Sequence, residues 1–132
     1  FEAVPSSRFG LNYDPSHLVW LGIDYLRVLS EFGERVVHCH GKDTEMLDEE
    51  RYESGVLPPT FGTKYGFSGG FWRYTIPGRG AVAWERVAAR LDRLGYAGAV
   101  CIELEDHLFR GTVEKEQEGI RKGFEHLARY FK

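Results

Sequence analysis

The chain has 132 residues, 42% of them hydrophobic and 28% charged, a balance that excludes disorder and collagen-like repeats and leaves enough apolar material for one core. Seventeen basic side chains against twenty acidic ones give a net charge of −3, and no basic run exceeds two residues, so nothing here is built to track a phosphate backbone and no nucleic-acid partner is expected. No apolar stretch approaches the roughly 18 residues of a membrane span, which predicts a soluble protein with no membrane partner. Cys39 and Cys101 each sit in a β-branched run and read as buried free thiols of a reducing, cytoplasmic setting. At about 150 residues per domain the chain is one domain, yet it opens on Phe1-Glu2-Ala3 without a methionine and reads as entered part-way.

In chain order, Phe9-Gly10-Leu11-Asn12-Tyr13 is a short strand candidate. Apolar residues at 23, 26 and 29, with a second stripe at 25, 28 and 32, predict a helix over Ile23 to Gly33 that the glycine ends. Arg35-Val36-Val37-His38-Cys39-His40 follows as a β-branched strand too short to be a helix. The stretch from Gly41 to Ala83 is far longer than an ordinary βα connection, with seven glycines between Gly55 and Gly80 and six aromatics between Phe61 and Tyr74. Aromatic side chains seek burial, so this mixture predicts an ordered lid or contact surface rather than a flexible linker. Trp84, Val87, Ala88, Leu91 and Leu94 return to helical spacing before Gly95, and Ala99-Val100-Cys101-Ile102-Glu103 is a further apolar strand. Ile120, Phe124, Leu127, Ala128 and Phe131 mark a last amphipathic helix, with Glu114 and Glu116 suited to its positive amino-terminal end. Continuous apolar strands alternating with helices predict an α/β fold, a parallel sheet with helices on its outer side and right-handed crossovers.

The chemistry-bearing residues fall at one end of these strands. Asp14 and His17 follow the first, His40 closes the second and Glu103 closes the third, so a parallel arrangement brings them to one carboxyl-end face, where α/β folds place active sites. Alternation pairs Asn12 with Asp14, His38 with His40 and Cys101 with Glu103 on common faces. Asp14-Pro15-Ser16-His17 suits a type I turn that brings Asp14 to His17; Asp14 capping the start of a helix is the alternative. His38 reads as a hydrogen-bonded polar residue one layer below His40. Asp, His and Glu together offer two oxygen donors and one imidazole, a set suited to Mn²⁺, Mg²⁺, Co²⁺ or Zn²⁺. Three ligands leave positions open, and such a metal would polarise a carbonyl while a carboxylate moves the proton on the adjacent carbon.

Gly10-Leu11-Asn12-Tyr13-Asp14-Pro15-Ser16-His17-Leu18, Val37-His38-Cys39-His40-Gly41-Lys42-Asp43, Gly78-Arg79-Gly80 with Trp84, and Gly95-Tyr96-Ala97-Gly98 leading to Ile102-Glu103 resemble, in that order and nearly end to end, the signatures of the sugar phosphate isomerase/epimerase family with a xylose-isomerase-like barrel. The resemblance implies the last three βα units of a (β/α)8 TIM barrel, an incomplete domain over residues 1–132 with a long loop at about 41–83. It implies that Asp14, His40 and Glu103 bind the divalent metal, that Glu103 is also one of two catalytic acid/base carboxylates, and that His17 contacts substrate hydroxyls. The family's other glutamate belongs to an earlier strand, and no residue here stands for it. Arg73 resembles a family arginine near the substrate; a surface arginine stacked on an aromatic is its alternative. The resemblance further implies that Lys42 touches substrate and that His38 and Asp43 support His40 from behind; a Lys42–Asp43 ion pair at the rim is the competing reading.

The function so implied is a metal-dependent isomerase or epimerase of a small sugar or polyol, moving a proton next to a carbonyl through an ene-diolate. An inosose-type dehydratase stays open, since loss of water can start from the same proton abstraction. A repair endonuclease of the endonuclease IV type would need an Asp-x-His pair after His40, and neither Asp43 nor Asp48 has a histidine two residues on; the basic footprint is absent as well. A non-catalytic fragment that keeps the fold is the reading from a different class. A complete TIM barrel takes about 250 residues, and three strands leave two edges and an inner face uncovered. The expectation is therefore a truncated chain that is inactive alone, lacks an amino-terminal half and self-associates through its strand edges.

Overall fold

The computed structural model describes residues 1–57 and 63–131, so Phe61 and Gly62 of the aromatic, glycine-rich stretch lie outside the described residues. The elements in chain order are β1 (Leu11–Tyr13), α1 (Pro15–Trp20), α2 (Tyr25–Phe32), a 3-10 turn (Gly33–Arg35), β2 (Val36–Gly41), β3 (Asp43–Met46), α3 (Asp48–Ser54), β4 (Trp72–Thr75), α4 (Trp84–Arg93), β5 (Val100–Ile102) and α5 (Val113–Leu127). The parallel sheet has the order β1-β2-β5. Tyr13 lies beside Cys39, and His40 beside Cys101, which brings the carboxyl ends of the three strands close together. Among the described residues the strands form an open sheet rather than a closed barrel. No described helix is long and apolar enough to cross a membrane.

The register explains which residues are buried. Between Leu11 and Asn12 the pairing with β2 shifts by one residue, so Leu11 faces Val36 while Asn12 faces His38. That irregularity changes the parity of β2: Val36 and Cys39 are both buried, and the intervening Val37 is 64% exposed. On the covered side Tyr13, Val36 and Cys39 pack with Leu26 and Leu29 of α2, Val87 and Leu91 of α4, and Leu127 of α5. Burying each such aliphatic side chain contributes roughly 1.5–3 kcal/mol, most of what opposes chain entropy here. The other face carries Asn12, His38, His40 and Cys101.

Two sequence expectations change at this level. The thiols are both free, but only Cys39 is buried and Cys101 is exposed, because strand alternation on the edge strand β5 turns Cys101 to the uncovered face beside His40. Burial pushes the Cys39 thiol up to about 12. Helix α2 begins at Tyr25 rather than Ile23, because Asp24 caps it: its carboxylate accepts the amides of Leu26 and Arg27, each at 3.0 Å, an interaction typically worth about 1 kcal/mol. Ile23 is left outside the stripe and 46% exposed.

The described residues of the long connection, 41–57 and 63–83, are ordered, and they also hold structure that the composition does not predict. β3 and β4 form an antiparallel pair, with Asp43 opposite Thr75, Thr44 opposite Tyr74 and Glu45 opposite Arg73. Asp43, fully buried, organises the return of the chain. One oxygen accepts the amides of Thr44 and Val82 at 2.9 Å, and the other accepts Gly78 N–H at 3.0 Å and the Trp84 indole at 3.1 Å. Burial pushes the Asp43 carboxyl up, and these four donors pull it back. Gly80 passes so close that any side chain would strike the Asp43 carboxylate and the Thr44 backbone, and Gly78, at φ 89°, has the His126 ring where a Cβ would stand. The Gly-Arg-Gly and Trp84 signature is therefore a fitting around Asp43.

Candidate metal and substrate site

The site starts from the end of β1. Asp14 is extended and caps α1, its Oδ1 accepting the Ser16 amide at 2.9 Å and the Ser16 hydroxyl at 2.5 Å. Both readings of the Asp-Pro-Ser-His turn hold together, because the capping carboxylate still has Oδ2 free to lie 3.4 Å from His17 Nε2. The end of β2 supplies His40, whose Nδ1 lies 3.4 Å from the same Asp14 Oδ2 and 3.1 Å from Glu103 Oε2, just past β5. Donor atoms of Asp14, His40 and Glu103 all fall within 4.8 Å of one another. The Asn12 amide touches the far nitrogen of His40, Nε2, at 3.4 Å, leaving Nδ1 to face the carboxylates.

Lys42 is the centre of the charge arrangement. It is only 2% exposed, and its ammonium lies 2.6 Å from Glu103, 2.8 Å from Glu105 and 3.3 Å from Asp14. Burial works against its charge, but the bonds to Glu103 and Glu105 and the nearby Asp14 outweigh it, so its pKa is raised and it stays a cation. Its ammonium also sits 4.3 Å above the Tyr74 ring, and the Tyr74 hydroxyl lies 2.7 Å from His17 Nδ1 and accepts the Trp20 indole N–H at 3.0 Å. Burial raises the Tyr74 phenol. Trp20 stacks on Trp72 at 4.6 Å, which makes an aromatic wall on this side of the site.

The structure thus brings Asp14, His17, His40, Lys42 and Glu103 together. His38 stands one layer below, its ring edge-on to His40 at 5.3 Å. Asp43 is not behind His40 and forms no rim ion pair with Lys42: adjacent residues of an extended chain point to opposite sides, so Lys42 enters the site while Asp43 enters the loop hub. Arg73 is likewise outside the cluster, on the opposite side of β4 from Tyr74. It bonds Glu45 at 2.6 Å, stacks over Tyr65 at 4.7 Å and touches His107 at 3.2 Å. Three site residues escape the sequence reading. Glu105 was signalled by its spacing of two from Glu103, whereas Tyr74 and Trp20 arrive through the hairpin and a helix end and have no local signal.

The donor set fits a divalent cation on two observations. Asp14 Oδ2 is buried and accepts no directed hydrogen bond, although three nitrogen donors lie within 3.4 Å of it. Moreover, three carboxylates surround the single ammonium of Lys42, leaving two uncompensated negative charges. Asp14, His40 and Glu103 would hold the ion, with oxygen and imidazole donors appropriate to Mg²⁺, Mn²⁺, Co²⁺ or Zn²⁺.

Parallel βα units that gather carboxylates and imidazoles beyond their strand ends define an α/β-barrel type of site. Comparison with known proteins gives the family: the xylose isomerase-like TIM barrel profile matches residues 1–130, and the chain belongs to that family. It is 34% identical over 123 residues to Bacillus subtilis YfiH, covering 89% of this chain and 36% of that protein. It is 30% identical over 104 residues to the inosose dehydratase of Geobacillus thermodenitrificans, covering 79% of this chain and 33% of the relative. Against the inosose dehydratase of Clostridium perfringens strain 13 the identity is 33% over 95 residues, covering 72% and 30%. The chain spans about a third of the length of these relatives. A crystal structure of a xylose isomerase domain protein from Planctomyces limnophilus superposes with a TM-score of 0.67 at 22% identity, covering 98% of this chain and 40% of that one, a likeness of fold.

Proposed function

We propose that this site serves metal-assisted proton transfer at a carbon beside a carbonyl, as an isomerase or epimerase of a small sugar or polyol. The observation that carries the reading is the convergence of Asp14, His40 and Glu103 around the unpartnered Asp14 Oδ2. A bound divalent cation would supply Lewis-acid polarisation of the substrate carbonyl. The chain's own residues do the rest. Glu103, with 37% of its side chain exposed, is the ligand best placed to reach a substrate carbon and exchange its proton. Lys42 keeps a fixed positive charge 2.6 Å from Glu103 and favours negative charge developing on substrate oxygen. His17, with 48% of its side chain exposed, offers a hydrogen bond to a hydroxyl, and the Trp20, Trp72 and Tyr74 wall excludes water from one side.

A second reading, dehydration of an inosose, is favoured by the two dehydratase relatives at 30% and 33% identity. Incubating the purified protein in deuterated buffer with Mn²⁺ and a panel of ketoses and inososes separates them. An isomerase or epimerase washes deuterium into the carbon next to the carbonyl without loss of water, whereas a dehydratase forms an unsaturated product. Glu103→Gln should lower either rate by roughly 10²–10⁴-fold. Turnover that survives Glu103→Ala sinks the assignment of Glu103.

A further inference from the structure

The Lys42 ammonium has three protons to donate, and its hydrogen bonds go to Glu103 Oε2 at 2.6 Å, Glu105 Oε2 at 2.8 Å and His17 Nε2 at 3.4 Å. A fourth neighbour, Asp14 Oδ2, lies at 3.3 Å and receives none of them: it is the buried oxygen without a hydrogen-bond partner. The cation reading turns on that oxygen, and a full set of acceptors elsewhere is what leaves it open. Of those acceptors, Glu103 belongs with Asp14 and His40 to the donors gathered within 4.8 Å of one another, and Glu105 does not. Glu105 thus takes an ammonium proton without taking a place among the ligands. Its backbone is held in place, because the next residue, Asp106, is buried and accepts the Ile76 N–H at 3.2 Å and the Leu108 N–H at 2.9 Å. Those two bonds tie the segment after β5 to the residue that follows β4.

We infer that Glu105 is a positioning residue that keeps Asp14 open to a divalent cation by holding the Lys42 ammonium away from it. Without the Glu105 charge, the carboxylates left in reach of Lys42 are Glu103 and Asp14, both ligands. A hydrogen bond to a carboxylate is roughly twice as strong as one to a neutral group, so the released proton goes to Asp14 Oδ2. Ammonium and metal ion then compete for one oxygen. Glu105 therefore sets the strength of the cation site through Lys42, without touching the ion. The inference rests on the cation reading of this site and not on the reaction proposed for it.

The test is Mn²⁺ affinity, read from the electron paramagnetic resonance of free Mn²⁺ as the purified protein is titrated, and it needs no substrate. The parent is compared with Glu105→Gln, Lys42→Met and the double variant. Glu105→Gln should bind Mn²⁺ roughly 10–100-fold more weakly than the parent. In the Lys42→Met background, where no ammonium competes, the loss caused by Glu105→Gln should shrink by at least about threefold, as expected of coupled neighbours. A loss that shrinks by less than that overturns the inference, because Glu105 then acts by its charge alone or as a ligand. Glu105→Asp keeps the charge but draws the carboxylate back from Lys42 by one methylene, and it should also weaken Mn²⁺ binding. A Glu105→Asp protein as tight as the parent overturns the inference, and this variant decides alone if the double variant does not fold. A parent that binds no Mn²⁺ overturns the cation reading and the inference with it, whereas equal losses in the two backgrounds overturn the inference and leave the cation reading standing.

Discussion

Lys42→Met is the sharpest probe of the charge arrangement, because Met has nearly the same length and no charge. Removing the ammonium leaves Asp14, Glu103 and Glu105 facing one another with no cation. Breaking a buried ion cluster typically costs about 3–5 kcal/mol. Two of the partners, Glu103 and Glu105, keep 37% and 29% of their side-chain exposure and can take up water, while Asp14 keeps 8%. That hydration brings the cost below the fully buried range, to about 2–3 kcal/mol. For a chain between the size classes usually tabulated, 1 kcal/mol moves the melting temperature by roughly 3–5 °C, so Lys42→Met should melt roughly 6–15 °C below the parent in EDTA. A divalent cation should reverse this. Ligand at about 100 times its Kd adds about 2.7 kcal/mol, and without Lys42 the carboxylates hold the cation more tightly. Circular-dichroism melts in EDTA and in Mn²⁺ read both effects, with Lys42→Met combined with Asp14→Asn as the variant that should lose the rescue. A variant that melts within about 2 °C of the parent in EDTA, or one that Mn²⁺ stabilises no more than the parent, refutes the reasoning.

Asp43→Asn should destabilise by about 3–4 kcal/mol, since the amide oxygen keeps one pair of donors while its NH₂ confronts the other two. Urea unfolding measures it, and a loss under about 1 kcal/mol would mean that the hub of four donors is not a unit. Stability should also fall as the medium is acidified. His107 is depressed by burial and by Arg73, and His126 by burial and by Arg129. The unfolded chain therefore binds more protons, and stability present above an ordinary histidine pKa of about 6.5 is lost as pH falls through it and past the lower folded values. Urea midpoints between about pH 7.5 and 5.5 should show this slope. The double variant His107→Gln with His126→Gln should flatten it, and an equal slope in that variant would show that other groups cause it.

What was legible in the sequence follows period and chain order. Strands such as Val36 to His40 announce themselves by β-branched runs, and the helices by stripes such as Trp84, Val87 and Leu91, because burial on one face repeats at a fixed spacing. Asp14, His40 and Glu103 were legible for a related reason: each ends or follows a parallel strand, so topology alone brings them close. The hairpin was not legible. Asp43-Thr44-Glu45-Met46 has a single apolar residue, and its pairing with Trp72 to Thr75 is imposed by Asp43 gathering amides from Gly78 and Val82, more than thirty residues away. Tyr74 inherits that obscurity, since nothing within its own segment says that it will meet His17.

The pair Lys42-Asp43 joins these two halves. A residue at the end of a strand and its successor face opposite ways, so one residue commits its cation to Glu103 and Glu105 while the next commits its carboxylate to the returning loop. The loop hub and the charged site are therefore one peptide bond apart. That loop carries Tyr74, which comes back beneath the Lys42 ammonium and bonds His17, closing a circuit from β2 through the hairpin to α1. The residues that order the long connection are thus the residues that hold the site in shape. For that reason a substitution at Asp43, which touches none of Asp14, His40 or Glu103, should still register at the His17 ring.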